Sequence, residues 1–180
     1  MKTTLPQLMH GCDYWPGDGL SGWLVSEKLD GWRAYWSGSE LLTRQGTRYA
    51  APDWFLAGLP AFPLDCELYA GPGTDHNDVS RLVLSRRWPA LTLRPFDIPE
   101  PDLPFPDALA RLDALATALP AHVIPVAWRP VQSTQEAIGE MLTITTNGGE
   151  GIMARHPASC YRPGRTAELV KIKPGKPHLS

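Results

Sequence analysis

Residues 23–36 read Trp23-Leu24-Val25-Ser26-Glu27-Lys28-Leu29-Asp30-Gly31-Trp32-Arg33-Ala34-Tyr35-Trp36. Two short apolar and aromatic runs flank a polar Lys-Leu-Asp-Gly segment, which predicts strands over 22–26 and 32–36 joined by a tight turn. Ser37-Gly38, between Tyr35-Trp36 and Leu41-Leu42, predicts a hairpin directly afterwards. Lys28 therefore sits at a strand end with a carboxylate two residues on. A lysine becomes nucleophilic when burial or neighbouring cations lower its pKa. An exposed lysine before an Asp-Gly turn has the same sequence, so this stretch alone leaves both readings open.

Further strands are predicted at 64–69, 91–96, 122–128, 151–155 and 169–172, each short, apolar and bounded by turn residues. Two helices interrupt them. In 106–119, Leu109, Leu112, Leu115, Ala116 and Leu119 share a face, with Asp107 as the expected cap. In 133–146, Ile138, Met141, Leu142 and Thr145 share a face. Ser133 and Glu136 there form a capping-box pattern, and Asn147-Gly148-Gly149 is the stop. A shorter helix is expected over 78–87. Strands outnumber helices and alternate with them irregularly, so the expected class is α+β with largely antiparallel sheets and flanking helices.

The 19 prolines and 16 glycines are spread through all 180 residues rather than pooled, which argues for many short elements in one domain. With 43% apolar and 20% charged residues the composition is that of a globular chain. A net charge of −2 excludes a globally basic nucleic-acid binder. Cations nevertheless gather late, at Arg155, Arg162, Arg165, Lys171, Lys173 and Lys176 against Glu168, where they would meet phosphates or simply be solvated. Cys12, Cys66 and Cys160 are isolated and odd in number, which fits a reducing compartment. Met1–Met9 forms no signal-peptide core, and no apolar run approaches the ~18 residues of a membrane span.

Three more clusters bear chemistry. Asp65-Cys66-Glu67 puts two carboxylates on one face of a strand, where they must be solvated, paired with cations or bound to a metal. Glu150 stands among Gly148, Gly149 and Gly151 as a strand begins, and glycine permits close backbone approach. Lys171 and Lys173 project to one side of a strand and repel each other unless anions lie between them, although an edge strand protected by lysines shows the same alternation. His10, His76, His122, His156 and His178 have no metal-ligand spacing.

In this order, KxDGxR at Lys28–Arg33, Thr43-Arg44-Gln45-Gly46, Asp65-Cys66-Glu67, Pro95-Phe96-Asp97-Ile98, Glu150-Gly151-Ile152-Met153 and Lys171-Ile172-Lys173 resemble the covalent nucleotidyltransferases: ATP-dependent DNA ligases, RNA ligases and capping enzymes. Ser26-Glu27-Lys28-Leu29-Asp30-Gly31, Arg44-Gln45-Gly46 and Ala51-Pro52-Asp53-Trp54-Phe55 are most similar to the small bacterial ligase E-type DNA ligases.

The resemblance implies an ATP-grasp-like ligase adenylation domain over 1–180. It implies ATP and Mg²⁺ (or Mn²⁺) as cofactors and nicked double-stranded DNA as partner, in DNA repair or recombination in the cytoplasm or at the nucleoid. By resemblance Lys28 attacks the α-phosphate and holds AMP. Asp30 and Arg33 position lysine and nucleotide, Glu67 contacts the ribose, and Phe96 stacks on adenine. Glu150 holds the metal, Lys171 and Lys173 neutralise phosphates, and Arg44 touches nucleic-acid phosphates.

Two departures stand out. Gly71-Pro72-Gly73 lacks the arginine expected there, and no OB-fold follows Lys173, so the expectation includes a protein partner that supplies the missing surface. The competing expectations are an RNA ligase or RNA-repair enzyme, a GTP-dependent guanylyltransferase and a non-catalytic nick-binding scaffold.

Overall fold

The computed structural model describes residues 5–175, so Lys176 and His178 lie outside the described residues. Among the described residues nine strands form two sheets. One runs in the order β1 (Met9–Asp13), β9 (Gly164–Ile172), β8 (Ile152–Arg155), β2 (Leu24–Glu27), β7 (Arg129–Pro130). The other runs β4 (Leu41–Thr43), β3 (Trp32–Trp36), β5 (Leu64–Tyr69), β6 (Thr92–Asp97). Every pairing is antiparallel except β1 with β9, which bears out the α+β expectation. The sheets face one another across a cleft, and helices cover their outer faces.

Alternation along each strand builds this arrangement. In β5, Leu64, Cys66 and Leu68 are fully buried against Phe55, Val79, Phe105 and Leu112 of α1 (Asp53–Leu56), α2 (His76–Leu84) and α3 (Phe105–Leu115), while Asp65 and Glu67 turn to the cleft. In β9, Val170 and Ile172 pack with Ala137 and Met141 of α4 (Thr134–Thr146), while Lys171, and Lys173 just past the strand end, turn to the cleft. Because β9 lies between β1 and β8, edge protection does not explain its lysines.

Several expectations need correction. The segment 122–128 is not a strand. It runs beside β6 through isolated bonds, from Leu93 N to His122 O, Ile124 N to Leu93 O and Val126 N to Pro95 O, and Pro125 contributes no donor. α3 begins behind Pro104 rather than Asp107, which sits in the first turn and complements the helix dipole instead. Ser133 caps α4 by accepting from Glu136 N at 3.1 Å, but the Glu136 side chain accepts from Gln132 N at 2.7 Å, so the box is only half formed. The full capping box belongs to α2, between Asp75 and Asp78, and this helix starts two residues earlier than expected. Leu142 is 49% exposed, outside the buried face of α4.

Candidate active site

The chain after β2 crosses from one sheet to the other at Leu29–Gly31, and Lys28 stands at that crossing. Its N–H donates to Gly151 O at 2.9 Å, which ties the lysine to the start of β8. Gly151 has φ of +145°, and a Cβ there would collide with the Ile172 carbonyl, so only glycine lets this loop lie so close to β9. Gly31 is equally constrained, since a Cβ would strike the Leu68 carbonyl and the Glu67 side chain. These glycines bring Lys28, Glu150 and Lys173 together. The Glu150 carboxylate accepts from both lysine Nζ atoms, one on each oxygen.

The cleft has a volume of about 380 Å³ and is lined by Lys28, Arg33, Arg44, Glu67, Phe96, Lys171 and Lys173 among the expected residues. Lys171 Nζ lies 3.4 Å from Asp13 Oδ1, so each C-terminal lysine is balanced by a carboxylate. Phe96 owes its direction to a β-bulge. Asp65 pairs with Asp97 and Cys66 with Pro95, leaving Phe96 as the extra residue, turned into the cleft. Arg44 is exposed just beyond β4, at the mouth. Asp30 does not join this lining. It faces an adjacent groove, with Oδ1 3.5 Å from His76 Nδ1.

Arg33 is the most constrained cation. Its Nε donates to Asp65 Oδ1 at 2.6 Å, and its Nη2 donates to Asp65 Oδ2 and to Met9 O at 2.8 Å. Its guanidinium lies 5.0 Å from the Phe96 ring centroid. Burial disfavours its charge, but Asp65 outweighs burial and raises its pKa.

Burial pushes the neighbouring Glu67 carboxyl up to about 8, despite the opposing pull of Arg33 and Lys28. For Glu150, burial also acts upward, but hydrogen bonds from Lys173 and Lys28 win and hold it below the usual carboxylate range. Deeper in the wall, Arg155 ion-pairs with Asp97 across the two sheets and donates to Ser159 Oγ at 2.9 Å. Burial raises the Asp97 pKa to about 6, against the pull of Arg155.

Arg155, expected among the late cations that meet phosphates or are solvated, is instead buried against Asp97, and nothing in the sequence marks β1 or Tyr161. Tyr161 Oη donates to Asp65 Oδ2 at 2.7 Å and accepts from Met9 N at 3.0 Å. No periodic or motif signal marks this tyrosine. The Asp65 carboxylate, left open between solvation, cations and metal, is paired with Arg33. No group of three or more His, Cys, Asp or Glu side chains suited to a metal occurs among the described residues. No helix among them is long and apolar enough to cross a membrane.

No family model matches the chain. It is 32% identical over 158 residues to a DNA ligase of Haemophilus influenzae, covering 86% of this chain and 59% of that protein. A solved Lig E DNA ligase superposes with a TM-score of 0.86 at 32% identity, over 94% of this chain and 69% of that one. The Chlorella virus DNA ligase-adenylate (TM-score 0.77, 18% identity, 94% of this chain and 68% of that one) shares the fold. Two facing sheets around a lysine-bearing cleft thus define a ligase-type nucleotidyltransferase domain. The chain belongs to the DNA ligases. It spans about 59% of the length of the Haemophilus relative.

Proposed function

We propose that the domain accepts AMP from ATP on Lys28 and passes it to the 5′-phosphate at a nick in double-stranded DNA. The carrying observation is the junction of Lys28, Glu150 and Lys173 at a cleft that also presents Phe96, Glu67 and Arg33. Lys28 Nζ loses a proton and forms a P–N bond to the α-phosphorus as the bond to the β-phosphate oxygen breaks and pyrophosphate leaves. The lysine's present hydrogen-bond acceptor is the Glu150 carboxylate.

Nucleotidyl transfer is mostly positioning and charge neutralisation. Lys171, Lys173 and Arg33 supply the positive charge inside the cleft, and Arg44 supplies it at the mouth, for the nucleic acid. Phe96 offers the adenine a flat face. Glu67, with its pKa near 8, is largely uncharged at pH 7, so it can donate to as well as accept from ribose hydroxyls without repelling phosphates. Asp30 serves from the neighbouring groove, beside the Lys28 turn.

Glu150, whose two oxygens now accept from Lys28 and Lys173, would be the protein ligand of a magnesium ion on giving up a lysine bond, with water and phosphate completing the shell. There it would offset charge on the phosphates. Nick sealing also calls on a surface that closes over the DNA, supplied by a further part of the polypeptide or by a partner protein.

The test is incubation with α-labelled ATP or GTP and Mg²⁺, followed by denaturation. Label from ATP that survives denaturation and vanishes in Lys28→Ala is the expected result. Label only from GTP, or none at any protein concentration, overturns it. Nicked DNA against nicked RNA then assigns the acceptor.

A further inference from the structure

We infer that Tyr161 is a positioning residue that fixes the Arg33 guanidinium in the cleft, acting through the Asp65 carboxylate and the Met9 backbone. This inference rests on the nucleotidyl-transfer reading for its kinetic part. Four groups from distant parts of the chain close a ring. Arg33 donates to Asp65 and to Met9 O, Tyr161 donates to Asp65, and Met9 N donates to Tyr161. Asp65 is fully buried and Tyr161 is 4% exposed, so water does not compete for these bonds.

The ring also decides which part of Arg33 stays available. A guanidinium has five N–H donors. The ring engages Nε and both hydrogens of Nη2. Nη1 has no hydrogen-bond partner among the described residues, and it is not one of the buried, unpartnered atoms. Its two donors are what the residue can offer to a nucleotide in the cleft.

Asp65 Oδ2 takes donors from both Tyr161 and Arg33, so removing the hydroxyl frees that oxygen to turn and leaves Met9 N–H unpaired. Tyr161 belongs to no strand, yet its hydroxyl uses both donor and acceptor capacity on this ring. Space filling in the core would ask only for the aromatic ring.

The experiment compares the full chain with Tyr161→Phe, Arg33→Ala and the double variant. The readouts are the ¹⁵N–¹H signal of Arg33 Nε and the ATP dependence of labelling. Tyr161→Phe is expected to broaden the Nε signal or speed its exchange with water. It should lower kcat/KM for labelling about tenfold, as expected for a hydrogen bond to a charged group, and this loss should vanish in the Arg33→Ala background. An unchanged Nε signal, or an equal kinetic loss with and without Arg33, overturns the inference. Should Tyr161→Phe fail to fold, Asp65→Asn interrupts the ring at its centre and must release the same signal. If the wild-type chain takes no label, the functional reading fails while the Nε signal still decides the role of Tyr161.

Discussion

Glu67 lines the cleft and Glu150 lines the adjacent groove, with Lys28 between them, and the two have opposite electrostatics. Glu150 sits at the rim, bonded to two ammonium groups that hold its carboxylate ionised. Glu67 sits in the wall behind Gly31, where burial dominates and its pKa rises to about 8. The difference does not come from residue type but from which partners touch the oxygens. Environments that push the pKa values of two like groups apart also separate their roles. A charged Glu150 suits the lysines it bonds, and under the proposed function an uncharged Glu67 suits hydroxyl groups.

The largest expected effect comes from the residue both glutamates share. Lys28 bonds Glu150 and draws the Glu67 pKa downward. Lys28→Ala should abolish covalent labelling, and Lys28→Arg should do the same, because a guanidinium stays protonated. Both carboxyl pKa values should also rise in Lys28→Ala, observable by NMR titration of the two side chains. A Glu150 that titrated unchanged in this variant would show that Lys173 alone holds it.

Next comes a third carboxylate, Asp97, at the end of β6 in the same wall. The Asp97 and Arg155 side chains are each 3% exposed, and their ion pair joins the two sheets. Asp97→Ala leaves a buried guanidinium without its partner and should cost ~3–5 kcal/mol, measured by urea unfolding. Asp97→Leu combined with Arg155→Met should recover most of that loss. If the double variant is as unstable as the single one, the pair has a role beyond joining the sheets.

These residues also show how far the sequence alone reaches. Lys28 was legible at a strand end before Asp-Gly, Glu150 among glycines, and Glu67 and Lys173 from the alternation of charged and apolar residues, and the fold joins Lys28, Glu150 and Lys173 by ion pairs. Asp97–Arg155 and the Tyr161 ring were not. Their partners are separated by 58 and 96 residues, and nothing local to Asp97 or Tyr161 records a contact made only when two sheets meet. β1 stayed hidden because Met9-His10-Gly11-Cys12-Asp13 lacks apolar alternation. It is a strand because β9 offers it a parallel edge. The 122–128 segment erred the other way. Its apolar composition predicts a strand, yet Pro125 denies it the donor a continuous ladder requires.

Glu67→Gln tests the wall. The folded-state pKa of about 8 lies above the ordinary 4.5, so between those values the folded chain binds more protons than the unfolded one. Wild-type stability should therefore fall as pH rises from about 4.5 to 8 on account of this group. Gln mimics the neutral carboxyl and removes that decline. The variant should match wild type near pH 4.5 and exceed it at pH 8 by on the order of 4 kcal/mol, read from unfolding curves at each pH. Labelling should meanwhile be largely retained, since the amide donates and accepts as the neutral carboxyl does. Equal pH slopes in the two proteins would place Glu67 among ordinary, solvated carboxylates.

Glu150→Gln should give the smallest stability change and the opposite sign. Its folded pKa lies below the ordinary value, so the two ion pairs contribute stability above about pH 4.5 that is lost as pH falls through the folded value. The lysines remain 21% and 33% exposed, so solvent screens the pairs, and the loss at pH 7 should be only ~1 kcal/mol. Thermal unfolding of wild type and Glu150→Gln should diverge at neutral pH and converge toward pH 3, while Glu67→Gln and wild type diverge at alkaline pH. The size of the neutral-pH loss decides what the rim is for. A loss of several kcal/mol would make Glu150 a clasp between β2 and β9 that resists opening. A loss near 1 kcal/mol leaves Lys28 in a bond weak enough to exchange for a phosphate, which is what the proposed nucleotidyl transfer requires of it.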